Sequence, residues 1–193
     1  MGKTNRIIHT VFNNKRSRKF LLLYRLPLWI VGFIFIMCVA QPQLFWFAFA
    51  VSLFGELVQL WCFASLDKRS TLAYNGLYKH TRNPMYLGRL FIVLGYILLL
   101  GNLYMIAFSV IIYLPYMWYR VQREEKKLKK IFGSPYLEYS EQVNRFIPSW
   151  KGMPRGILWF WQWKLFNQNH GWINLNAMLL SFIVAYIWLI IYR

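Results

Sequence analysis

The chain has 193 residues, 58% of them hydrophobic and 20% aromatic, and carries a net charge of +17. Apolar runs this long and continuous exclude an ordinary soluble domain and place the chain among integral membrane proteins. The charge does not point to nucleic acid, because the bases flank the apolar runs, where membrane proteins concentrate Lys and Arg on the cytoplasmic side.

A bilayer core takes about 20 mostly apolar residues per helix. Residues 21–40 form the first expected span, with Arg25 near its start and Pro27 in its first turns. This run is too long for a signal peptide and lacks a small-residue cleavage site, so it reads as an uncleaved anchor. Residues 44–66 form the second span. Residues 86–100 and 103–119 form the third and fourth, and the two-residue break Gly101-Asn102 makes them a tight hairpin. Residues 120–132 read as a basic amphipathic helix that Gly133 ends, and 135–146 as a second short helix. Residues 172–192 form the fifth span.

Bases crowd the segment before the first span, the loop between the second and third, and the stretch from Arg120 to Lys164. The connections near 41–43 and 101–102 carry no charge. This pattern predicts a cytosolic N-terminus and a C-terminus on the opposite side. Trp150, Trp159, Trp161 and Trp163, mixed with Lys and Arg, suit a segment lying in the membrane interface. The expected organisation is a basic cytosolic tail over 1–19, a membrane core over 20–150, and the Trp-rich segment with the last span over 151–193. The expected fold class is all-α integral membrane, with about five transmembrane helices and a small cytosolic helical site. Cys38 and Cys62 lie inside apolar runs and read as buried thiols; no disulfide framework or metal site is expected.

Two polar segments stand apart from this apolar background. Gly76-Leu-Tyr-Lys-His-Thr-Arg-Asn-Pro-Met-Tyr-Leu-Gly88 leads into the third span. Arg120 to Tyr139 leaves the fourth. The hairpin places the two together on the cytosolic side. Pro84 fits the first turn of a helix, and Asn83 before it is placed to cap. A helix start attracts carboxylates, which suits an amino-acid-like ligand. Glu124 and Glu125 are two of only six acids. They read either as helix support, through Glu124–Lys127 and Glu125–Lys129 pairs, or as recognition of hydroxyls or an ammonium. Glu56 lies deep in the second span, where a charge costs about 3 kcal/mol. It reads as a structural hydrogen-bonding group, with Gln59 in reach, or as part of an acceptor pocket. Arg145 reads as an anion contact or as a partner of Glu138 or Glu141. His80 reads as a loop residue, or as a base if the chemistry needs one.

The set Gly76-x-Tyr78-x-x-x-Arg82-Asn83-Pro84-x-Tyr86-x-Gly88, Glu124-Glu125-x-x-Leu128, Phe132-Gly133-x-x-Tyr136-x-x-Tyr139 and Val143-x-Arg145-x-x-Pro148 resembles the isoprenylcysteine carboxyl methyltransferase family. That family belongs to a wider membrane group that includes phospholipid N-methyltransferases. The resemblance covers roughly residues 50–150, and Gly55 and Trp61 also suit it. It implies S-adenosylmethionine as methyl donor, held on the cytosolic side without a Rossmann domain. By the same resemblance Tyr78, Asn83, Pro84, Met85, Tyr86 and Glu124 match cofactor-contacting positions, as does the strip Leu72-Ala73. Arg120 matches the position that engages the acceptor carboxylate; Arg145 and Glu56 are candidate acceptor contacts on their own chemistry, and not by the resemblance. The eukaryotic members have His at Asn83, and many relatives have Arg at Gln59. An amide keeps a donor and an acceptor but does not titrate. The implied activity is methyl transfer to a lipophilic acceptor, a membrane lipid or prenylated molecule, with a carboxylate favoured. A phospholipid amine, an NADPH-dependent reductase of the steroid-reductase type, and a non-catalytic membrane component are the alternatives.

Overall fold

The computed structural model describes residues 15–67 and 71–192. The basic tail over 1–14 and the bases Lys68 and Arg69 lie outside the described residues. The described secondary structure is helical, apart from one isolated parallel bridge between Thr81 and Asn144. The chain divides into two compact units, Met1–Ala40 and Gln41–Arg193. The first holds helix α1, Lys15–Val39, with Pro27 inside it.

In the second unit, α2 spans Phe45–Ser65 and follows a short turn that begins at Pro42. Its apolar residues run all round the helix, which removes any preference for a water-facing side. Helix α3, Pro84–Leu98, begins with proline at its first position, where the missing N–H costs least. The two helices run antiparallel in close contact. A Cβ on Gly55 would stand 2.5 Å from the Gly88 carbonyl oxygen, and one on Gly88 would stand 2.7 Å from that of Gly55. Glycine at both positions lets backbone meet backbone. Ser52 adds a hydroxyl hydrogen bond to the Ile92 carbonyl at 3.2 Å.

Helix α4 runs unbroken from Leu103 to Phe132. Asn102 caps it, its side chain accepting from the Tyr104 and Met105 amides at 2.9 and 3.3 Å. The expected fourth span and the expected basic helix are therefore one 30-residue element. Nothing between Trp118 and Arg123 breaks a helix, since only polarity changes there, and Gly133 with φ of 59° ends it. Helix α5 is Ser134–Gln142, α6 is Trp163–Gln168, and α7 is Gly171–Tyr186, continued by a π-helical turn to Tyr192.

Two helical stretches among the described residues are long and apolar enough to cross a membrane: Pro42–Ser65, with 24 residues, and Gly171–Leu189, with 19. Helix α3 has 15 residues, short of a full crossing, and the apolar part of α4 is only its first half.

A polar cap covers the end of the second unit where α2 finishes and α3 begins. Tyr136, Tyr139, Val143 and Met153 form its core, with Leu72 and Tyr74 packed against them. The Tyr139 hydroxyl donates to the Tyr78 carbonyl at 2.6 Å. Burial, then the charge on Glu125, pushes the Tyr136 hydroxyl up to about 12, so it stays a neutral phenol.

Candidate functional site

The start of α3 and the middle of α4 meet at Tyr86. Its ring is buried with Met117 and Val121, and Tyr113 and Phe146 pack around them. The Tyr113 hydroxyl donates to the Tyr86 carbonyl at 3.1 Å, fixing the first turn of α3 against α4. The Tyr86 hydroxyl donates to Glu124 Oε1 at 2.7 Å and accepts from Arg120 Nε at 3.1 Å. Arg120 Nε also lies 3.3 Å from Glu124 Oε1, one helical turn away. Thus three residues named from the sequence, Tyr86, Arg120 and Glu124, form one hydrogen-bonded group. The side chains of Arg120 and Glu124 are 47% and 43% exposed, so both keep atoms open to a ligand.

The adjacent glutamate does different work. Successive residues on a helix point about 100° apart, and Glu125 turns inward. Its Oε2 accepts from Arg145 Nη2 at 2.6 Å and from Arg145 Nε at 3.0 Å. Its Oε1 accepts from Asn83 Nδ2 at 3.2 Å and lies 3.6 Å from Arg82 Nε. Arg145 also stacks over the Trp118 ring, 4.8 Å from its centroid. This is a latch that joins the loop before α3, the body of α4 and the segment after α5. The expected Glu125–Lys129 pair gives way to it, because tertiary arginine partners outcompete an exposed lysine on the same helix, and in place of Lys127 Glu124 pairs with Arg120 one turn earlier and with Tyr86. Arg145 likewise takes Glu125 as its partner rather than Glu138 or Glu141. Asn83 stands at the capping position, but its side chain makes no cap bond and donates instead to Glu125 and to the Arg145 carbonyl.

The remaining named residues surround this centre. Pro84 is buried at the first position of α3, and Met85 packs against Leu60, Phe63, Ala64 and Phe166. Tyr78 is buried, with Cys62 beside its phenol. Leu72 packs into the cap, and Ala73 is half-buried beside it in the chain. His80 is tied down by a 2.7 Å contact from Nδ1 to the Ser149 carbonyl. A carbonyl only accepts, so Nδ1 carries a proton. Glu56 is buried in α2, and its Oε1 has no hydrogen-bond partner. It lies next to Gly55, at the level where α2 crosses Gly88, about half a turn along α3 from Tyr86.

The site also uses residues that the sequence did not single out. Arg82 joins the latch, and Glu125, read from the sequence as helix support or recognition, serves as its centre instead. The only sign of Arg82's role was its presence inside the quoted motifs. Residues 149–169 form a strap across the loop before α3. The Ser149 amide donates to the His80 carbonyl at 2.7 Å, Met153 to Lys79 at 2.8 Å, and Gly76 to Ile157 at 2.8 Å. These are backbone bonds and leave no side-chain signature.

The donor set fits S-adenosylmethionine on chemical grounds. Glu124 offers a half-open carboxylate for hydroxyls or an ammonium. The first turn of α3 has no side-chain cap, which leaves a helix start suited to a carboxylate. Among curated proteins and among solved structures, none matches the chain at a significant level. The family model for phospholipid methyltransferases matches residues 22–135, more than half of the chain and inclusive of the Tyr86–Glu124–Arg120 group, and the chain belongs to that family of membrane methyltransferases.

Proposed function

We propose that this protein is an S-adenosylmethionine-dependent membrane methyltransferase acting on the carboxylate of a lipophilic acceptor. The observation that carries the reading is the Tyr86–Glu124–Arg120 group, half-open at the start of α3. The cofactor supplies an electrophilic methyl on a sulfonium. Glu124 and Tyr86, with Asn83, Pro84 and Met85 around the helix start, form the donor side. Tyr78, Leu72 and Ala73 support that side from the loop before α3. Arg120 orients the acceptor carboxylate with its planar donor fork. A carboxylate is ionised at neutral pH and needs no general base, so these residues contribute positioning and electrostatics. Glu56 belongs to the acceptor side, at the level of the glycine crossing. Arg145 acts at one remove, by holding Glu125.

A second reading, methylation of a phospholipid amine, is favoured by family membership itself. An amine must lose its proton, and His80 in the loop before α3 is the titratable candidate for the base. Membranes with and without the protein, given donor labelled in the methyl group, separate the two. A carboxylate acceptor yields a lipid-soluble methyl ester that alkali cleaves to volatile labelled methanol. Label that survives alkali on a phospholipid headgroup refutes the carboxylate reading and supports the amine. Arg120→Lys should lower turnover at least tenfold through the lost fork geometry.

A further inference from the structure

The strap over residues 149–169 has a second face. Trp150 is 99% exposed, Trp159 82% and Trp163 60%. These rings are not scattered. Trp159 stacks on Trp61 in the last turns of α2, with centroids 5.1 Å apart. Trp163 stacks on Trp172 in the first turn of α7, at 6.3 Å and 11°. Both anchor points are ends of the two helices long enough to cross a membrane. The aromatic row therefore lies at the level where those helices leave the hydrocarbon, the depth that tryptophan prefers.

Lys151, Arg155 and Lys164 are exposed along the same strap. From Val143 to Arg193 the sequence contains no Asp or Glu. Aromatic rings at headgroup depth with uncompensated bases match one chemistry, a leaflet surface bearing anionic headgroups.

We propose that the strap is a docking surface for anionic lipid, and that docking stabilises the loop leading into α3. The connection is mechanical. The strap holds this loop through the bonds from Ser149, Met153 and Gly76, and the Ile157 amide donates to Asn75 Oδ1 at 2.9 Å. It also ties to the end of α2, where Ser65 Oγ donates to the Phe160 carbonyl at 3.0 Å and the Gln162 amide to Ala64 at 3.1 Å. Fixing the strap on a surface lowers the chance that these bonds open. The family match ends at residue 135, so this device belongs to the part of the chain beyond it.

The test is hydrogen exchange on the full chain in nanodiscs of phosphatidylcholine, alone or with a third of the lipid replaced by phosphatidylglycerol. The readout is local protection and is independent of methyl transfer. The amides of Gly76, Met153 and Ile157 should exchange about tenfold more slowly in the anionic discs. High salt should shrink the difference in the unmodified protein. Lys151→Ser/Arg155→Ser/Lys164→Ser should abolish it, whereas Lys126→Ser/Lys127→Ser/Lys130→Ser on α4 should leave it. Equal exchange in both discs overturns the proposal. So does loss of the response in the α4 variant alone. Protection that follows protein concentration rather than lipid charge also overturns it, and assigns the face to a second copy of the chain.

Discussion

Glu125→Ala is the most informative single change, because it separates the two adjacent glutamates by mechanism. In the native protein the Glu125 side chain is 10% exposed and faces Arg145 at 27% and Arg82 at 15%. Removing the carboxylate strands two largely buried guanidinium groups and the Asn83 amide. Breaking one side of a buried pair costs about 3–5 kcal/mol. Arg145 is partly hydrated and rests on Trp118, so a loss near the lower end, about 3 kcal/mol, is expected. For a chain of this size that lowers the melting temperature by roughly 6–12 °C. Glu124→Ala removes a half-exposed pair, worth at most about 1 kcal/mol, and should shift melting little. Donor binding should behave in the opposite way. Glu124→Ala should weaken S-adenosylhomocysteine binding at least tenfold, through a lost charged hydrogen bond of about 1.5–3 kcal/mol. Thermal unfolding and calorimetric binding, run on both variants in one detergent, decide the matter. A Glu125→Ala protein that melts with the parent, or a Glu124→Ala protein that melts far below it, refutes the division of labour.

Three further outcomes follow from particular contacts. Tyr86→Phe keeps the ring in its cluster but loses the hydroxyl between Glu124 and Arg120, so donor affinity should fall about tenfold with melting nearly unchanged; full affinity by calorimetry removes Tyr86 from the donor side. Gly88→Ala places a Cβ 2.7 Å from the Gly55 carbonyl and should cost about 1–3 kcal/mol; unchanged melting means the helices do not meet as described. Asn102→Ala should cost about 1 kcal/mol through the lost cap on α4, read as a small drop in melting with donor affinity intact.

The helices were legible where composition speaks locally. Pro84 marked the start of α3, Asn102 and Gly133 bounded α4, and the short break at 101–102 produced the hairpin. The join at Arg120 was not legible, because a change from apolar to basic alters a helix's surroundings without ending it. The same limit applied to the glutamates. Spacing along α4 predicted lysine partners, but Asn83, Arg82 and Arg145 reach Glu125 from distant parts of the chain. Resemblance singled out Tyr86, Glu124 and Arg120, and the structure brings those three together. The strap was hidden because its own side of the hold on the loop before α3 is made by backbone groups, which every residue carries.

The glycine crossing of α2 and α3 bears on how the proposed lipophilic acceptor would reach Tyr86. With the Gly55 and Gly88 backbones in contact, no acyl or prenyl chain can slip along that seam. The outer turns of α4 make a different boundary. Leu103, Phe108, Ile111 and Ile112 there are exposed, and further along α4 Tyr113 and Met117 pack against Tyr86 of α3. On the carboxylate reading proposed above, a lipophilic tail arriving from the side meets the exposed outer turns of α4 rather than the closed glycine seam.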